Sequence, residues 1–103
     1  MASGYHKVRE GVINFDGTEK TVNCGFPVGT LKIMVLDAEG AAESIVHKTA
    51  SMDGAYCFVQ DDAGDLTYQE VITLADTGFT IDTDGGEGKV AYYMATEAYG
   101  QEG

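Results

Sequence analysis

The side chains best suited to nucleophilic chemistry are two cysteines, Cys24 and Cys57, and two histidines, His6 and His47. A nucleophile needs a base within hydrogen-bond reach, and that base needs an orienting group. Cys57 and His47 could meet across neighbouring strands, but neither lies in an activating setting such as a helix N-terminus. The GxSxG, HExxH and phosphate-binding glycine motifs are also missing from the sequence. We therefore expect no enzymatic activity.

Acidic turns are the strongest candidates for a metal site. Asp82, Asp84 and Glu87 surround a Gly-Gly pair, and Ca²⁺ favours such oxygen-rich loops. A second acidic loop spans residues 61–65. Neither matches the EF-hand pattern, and the scattered cysteines and histidines lack the paired spacing of zinc ligands. Because Asp and Gly are also the residues that turns prefer, we favour ordinary turns and expect no cofactor.

Aromatic side chains raise the possibility of sugar binding, since lectins of the β class stack sugars on exposed rings. The chain has six Tyr and no Trp. In a regular strand, the adjacent Tyr92 and Tyr93 point to opposite faces, so one ring points away from the core. Tyrosine is also common at protein interfaces, and we favour that interpretation.

The charge balance narrows the class of partner. Among 103 residues, 17 are Asp or Glu and 6 are Lys or Arg, which gives a formal net charge of −11. Such a surface repels phosphate backbones and anionic membranes, so nucleic acid and membrane are not expected partners. The charge fits either a soluble, self-avoiding monomer or a docking face for a basic partner, and we favour the first.

The beginning of the chain predicts no secretory signal, and no stretch approaches the ~20 apolar residues of a membrane span. We therefore expect synthesis in the cytoplasm. In that setting, Cys24 and Cys57 are expected to be reduced and buried.

Short apolar runs separated by turn signals predict an all-β fold. The hydrophobic content of 44% suits a folded domain, and the 14 glycines against one proline suit tight turns. We predict a single β-sandwich or jelly-roll-like domain over residues 1–103, with mobile arms at about 1–4 and 98–103. It contains seven to eight short, mostly antiparallel strands. The predicted strands span residues 7–15, 21–26, 30–37, 43–49, 55–60, 68–74, 78–82 and 89–96.

Three details of these strands are open to test against the structure. Gly11 interrupts the alternation of the first strand, which predicts a bulge or bend there. The strand over residues 30–37 is apolar on both faces, which predicts a central position in a sheet. Residues 68–74 read as one continuous strand.

Two segments resemble small virion proteins of tailed bacteriophages. The first runs from Gly11 to Val22, with the motif DGT…TV, and continues into Cys24-Gly25-Phe26-Pro27. The second runs from Thr77 to Asp84, with the motif GFTI, and continues into a closing strand with the motif YYMA. The order of these motifs resembles that of the phage proteins over most of the chain, except for residues 38–65.

The resemblance implies a non-enzymatic head decoration, or cement, protein on the capsid surface of a virion. It implies binding to the outer face of the major capsid protein lattice, stabilisation of the head, and association with copies of itself as a trimer or dimer. In that role we expect Tyr5, Tyr93 and Tyr99 to be contact residues. The alternative is a carbohydrate- or receptor-binding module, such as a tail-fibre knob.

Overall fold

The computed structural model describes residues 7–52, 54–82 and 88–98, which form nine strands and no helix. This confirms the all-β, sandwich-like fold. None of the described residues belongs to a helix that could cross a membrane. The strands are β1 Val8–Asn14, β2 Lys20–Asn23, β3 Val28–Leu36, β4 Ala42–Thr49, β5 Tyr56–Asp61, β6 Leu66–Glu70, β7 Ile72–Ala75, β8 Gly78–Ile81 and β9 Val90–Glu97.

The strands form two antiparallel sheets of unequal size. The larger has six strands in the order β1-β9-β3-β4-β5-β6, and the smaller has three in the order β2-β8-β7. β3 lies between β9 and β4, which confirms the central position predicted from its two apolar faces. β1 and β6 are the edge strands of the larger sheet, which we call the large sheet; the other is the small sheet.

The described strands number nine rather than seven to eight because the predicted strand over residues 68–74 is two strands in different sheets. The chain changes sheets at Val71, where the amides of Val71 and Ile72 both donate to the carbonyl of Ala55 at 3.0 and 3.2 Å. These two bonds satisfy the backbone amides where the chain passes from one sheet to the other. Because no turn residues are needed there, the sequence keeps its apolar pattern across the crossing.

The core lies between the two sheets. The large sheet contributes Leu31, Ile33, Val46, Cys57 and Ala91, and the small sheet contributes Ile72, Phe79 and Ile81. Phe79 and Tyr93 join the two layers with an edge-to-face contact whose ring centroids are 5.4 Å apart. Cys24 and Cys57 are both free thiols, and burial raises the pKa of each.

Gly11 does not form the predicted bulge. The pairing of β1 with β9 runs without a shift from Val8 opposite Thr96 to Asn14 opposite Val90. Instead, the ring of Tyr93 lies over Gly11, so that a Cβ there would fall 2.6 Å from the Tyr93 hydroxyl oxygen. The glycine therefore breaks the alternation of β1 in order to admit an aromatic ring from the opposite strand.

Lys48 is a charged side chain buried at one end of the core, with 1% of its surface exposed. Its Nζ donates to the carbonyl oxygens of Gly54 at 2.9 Å and Tyr56 at 2.6 Å. These bonds tie the end of β4 to the start of β5, and so fix the hairpin that brings Tyr56 into the large sheet.

Candidate interaction surface

One side of the large sheet carries a broad apolar surface that no other described element covers. The small sheet packs against the opposite side, where the core lies. We call the uncovered side the outer face. Strand alternation and the pairing registers place all ten large hydrophobic side chains that are exposed in the described chain on this face, at 36–62% exposure. They are Val8, Val12, Met34, Ile45, Tyr56, Phe58, Leu66, Tyr68, Tyr92 and Met94.

The pairing registers arrange the centre of the outer face in two rows that cross all six strands. One row contains a single polar residue: Val12, Tyr92, Met34, Ile45, Gln60 and Leu66. The next row is mixed: Glu10, Met94, Lys32, His47, Phe58 and Tyr68. The apolar side chains are therefore contiguous rather than scattered, which is the pattern that marks an interaction site.

An aromatic cluster occupies the β5–β6 end of the outer face. Tyr56 and Tyr68 stack with ring centroids 4.9 Å apart and an angle of 16° between the planes. Phe58 lies opposite Tyr68 in the register, with ring centroids 5.1 Å apart and a tilt of 47°. Rings of this kind supply large contact areas at low entropic cost, and they dominate the energetics of many interfaces.

The outer face is nearly neutral, although the chain is strongly acidic. The charged side chains that its strands present on this face are Glu10 on β1, Lys32 on β3 and Glu70 on β6. Within the described part of the chain, the strands present two carboxylates on the outer face, both on edge strands. Glu43, Asp61 and Asp62 border a hollow at one end of the face, beside Met34, Ile45 and Gln60. The acidic residues are concentrated elsewhere, in turns and on other surfaces.

The structure does not assemble the Cys57–His47 pair considered as a nucleophile and base. His47 lies opposite Lys32 and Phe58, with its side chain on the outer face. Cys57 is fully buried on the core side, where its Sγ donates to the Gln69 carbonyl oxygen at 3.5 Å. The two side chains therefore point to opposite sides of the large sheet. His6 lies outside the described residues.

The calcium candidates are only partly within the described chain: Asp82 is described, whereas Asp84 and Glu87 lie outside it. The described ranges contain no group of three His, Cys, Asp or Glu residues arranged to hold a metal ion. In the second acidic loop, Asp61 Oδ1 accepts from the amides of Ala63 at 3.0 Å and Asp65 at 2.9 Å. This carboxylate therefore stabilises its own turn.

The structure corrects the choice of exposed tyrosine in β9. Tyr93 is 8% exposed and packs in the core, whereas Tyr92 is 51% exposed and lies in the middle of the outer face. Tyr93 was expected to be a contact residue, but its ring covers Gly11 and contacts Phe79. Tyr5 and Tyr99, the other predicted contact residues, lie outside the described residues, as do residues 1–4 and most of 98–103.

A cleft of about 220 Å³ opens between the two sheets beside Val71 and Ile81, where β7 begins and β8 ends. Val46, Val59 and Ile81 contribute to its apolar wall, and an ion pair between Lys89 Nζ and Glu43 lies at its mouth, with nitrogen–oxygen distances of 2.9 and 3.0 Å. Its described lining contains no histidine or cysteine. The cleft thus lacks a nucleophile–base arrangement of the kind that Cys57 and His47 would have supplied.

Comparison with known proteins finds no matching family model, no matching curated protein and no matching solved structure. The resemblance to phage virion proteins therefore rests on its short sequence motifs alone. The outer face is the structural feature that bears most directly on function.

Sequence reasoning missed most of the outer face, including Met34, Tyr56, Phe58 and Tyr68. A signal for it was present, because residues 30–37 are apolar on both faces and Tyr56 and Phe58 share one face of their strand. Two apolar faces indicate burial on both sides. Only the sheet topology reveals that one of those sides has no cover within the described chain.

Proposed function

We propose that this chain is a non-enzymatic structural subunit that works by binding other protein chains, as a head decoration protein on a virion. The single observation that carries the binding role is the outer face, a contiguous apolar surface on an otherwise acidic domain. The narrower role, attachment to the lattice of the major capsid protein, follows from the resemblance in the DGT…TV and GFTI segments.

The outer face suits stable attachment better than transient encounter. Its apolar side chains are contiguous and its aromatic rings are clustered, whereas transient contacts are typically smaller and more polar. A fixed β-sheet presents these side chains with little loss of backbone entropy on binding. Both properties are what a subunit that reinforces a protein shell requires.

The test of this role uses particles from which the chain has been removed. We expect the chain to cosediment with such particles when it is added back, and to restore their resistance to heat and low salt. Met34→Glu, at the centre of the outer face, should lose attachment, because it places a charge among apolar neighbours. Thr73→Glu, on an exposed position of β7, adds the same charge to the small sheet and should attach normally. Absence of the chain from purified virions, or attachment unaffected by Met34→Glu, contradicts the proposal.

A second candidate function, carbohydrate or receptor binding, is favoured by the aromatic cluster of Tyr56, Phe58 and Tyr68. Exposed rings beside polar groups such as Gln60 and Glu70 are a feature of sugar-binding surfaces. Saturable binding on a glycan array that is lost in Tyr68→Ala and retained in Thr73→Ala would favour this function over decoration.

A further inference from the structure

We propose that a second copy of this chain docks on the outer face, so that two large sheets pack face to face around a two-fold axis. This inference deepens the proposed function, on which it rests for the idea of a protein-binding surface: the occupant of the outer face is a second copy, and the dimer rather than the single chain is the unit that attaches to the particle. In the dimer the two outer faces become one internal apolar layer, with sheets about 10 Å apart as in other sheet-on-sheet packings.

The area of the outer face is sufficient for a specific contact between two copies. Six strands about 4.8 Å apart, each with about six residues that rise ~3.3 Å, give a footprint on the order of 550 Å². Two copies then remove on the order of 1,100 Å² from water, which is above the ~1,000 Å² expected of a specific interface. The ten exposed apolar side chains would occupy most of that area.

The distribution of charge points to a second copy rather than to a basic partner. Two chains that each carry a formal charge of −11 repel one another wherever their acidic surfaces meet. The described strands present only two carboxylates on the outer face, and Glu43, Asp61 and Asp62 border it at one end, so its centre is where two copies can meet with the least repulsion. A surface built for a basic partner would instead concentrate acidic groups.

The positions of the few charges also suit a two-fold contact. Glu10 and Glu70 lie on the two edge strands, so they fall at the rim, where charged groups stay hydrated. Met34, Ile45 and Tyr92 lie on inner strands and form the centre. Lys32 is an exposed residue on an inner strand as well, and its long apolar stem can cover neighbouring apolar side chains while the ammonium reaches water.

Analytical ultracentrifugation of the full chain tests the inference directly. We expect a monomer–dimer equilibrium at micromolar concentration that shifts toward dimer as NaCl is raised, because salt screens the repulsion between acidic chains. Met34→Glu should weaken the dimer at least tenfold, and Thr73→Glu should leave it unchanged. Circular dichroism and thermal melts establish that both variants fold. A chain that stays monomeric at 100 µM and high salt overturns the inference, as does a dimer that survives Met34→Glu.

The two proposals fail in different ways. A chain that is monomeric in solution but attaches to particles through Met34 overturns the dimer and leaves the decoration role standing; the outer face then belongs to the capsid protein. A dimer that forms through the outer face but never attaches to particles overturns the decoration role and supports the inference. Dimerisation that weakens as salt rises would mean that ion pairs, rather than the apolar outer face, hold the two copies together, and it would overturn the inference.

Discussion

Asp16 shows how one exposed side chain fixes the turn between β1 and β2. Its Oδ1 accepts from the hydroxyl of Thr18 at 2.6 Å and from the amide of Thr18 at 3.1 Å, and its Oδ2 lies 3.0 Å from Lys20 Nζ. The hydrogen bond from the Thr18 side chain, followed by the contact with Lys20, lowers the pKa of Asp16 to about 2. The carboxylate thus stabilises the turn at the Asp-Gly dipeptide by accepting hydrogen bonds from a residue two positions further on.

The lowered pKa of Asp16 makes a prediction about stability and pH. A depressed folded pKa means that the contribution is fully present above the unfolded value of about 4 and is lost as the pH falls toward about 2. We expect Thr18→Val, which removes the largest cause, to raise the Asp16 pKa toward 4 and so to shrink the part of the acid loss of stability that Asp16 contributes. Carboxyl titration by NMR and urea denaturation between pH 2 and pH 5 measure both effects. A pKa that Thr18→Val leaves unchanged would contradict this assignment.

At the scale of elements, the pairing of β2 with β8 depends on Gly78. A Cβ at this position would fall on the carbonyl oxygen of Val22 in the opposite strand. We expect Gly78→Ala to push β2 away from β8 and to loosen the small sheet over Phe79, at a cost of about 2–4 kcal/mol. Gly40→Ala is the matched control: it meets no neighbour within 4 Å and costs about 1–2 kcal/mol for its positive φ of 89°. The free energy of unfolding, measured by urea denaturation, should be lower for Gly78→Ala than for Gly40→Ala. The reverse order would refute this account of Gly78.

Individual strands could be predicted from the sequence better than their arrangement. β1, β3, β4, β5, β8 and β9 lie within one or two residues of their predicted bounds, because alternation and turn residues are local signals. The division between β6 and β7 could not be predicted, since the crossing at Val71 depends on a carbonyl far away in sequence, that of Ala55. The outer face was missed for the same reason: which side of a strand is covered depends on long-range pairing.

For the molecule as a whole, the unequal sizes of the two sheets explain why one surface is apolar and exposed. Three strands cover one side of a six-stranded sheet, and the other side keeps its apolar residues exposed. The carboxylates lie mostly in turns and on other surfaces, where they keep the chain hydrated and repel copies of it in wrong orientations. An apolar surface surrounded by like charge therefore favours one mode of association over nonspecific aggregation.

The excess of negative charge should also act on the folding of each chain, because like charges at short range destabilise a compact state. We expect the melting temperature to rise as NaCl is raised from 10 to 300 mM, measured in the Met34→Glu background so that dimerisation does not contribute. Glu19→Lys combined with Glu39→Lys changes two exposed positions by two charges each, which takes the formal net charge of −11 to −7 before the background change. That double variant should melt higher at 10 mM NaCl and respond less to added salt, because less repulsion remains to be screened. An equal salt response in both proteins would show that specific ion effects, rather than self-repulsion, set the dependence.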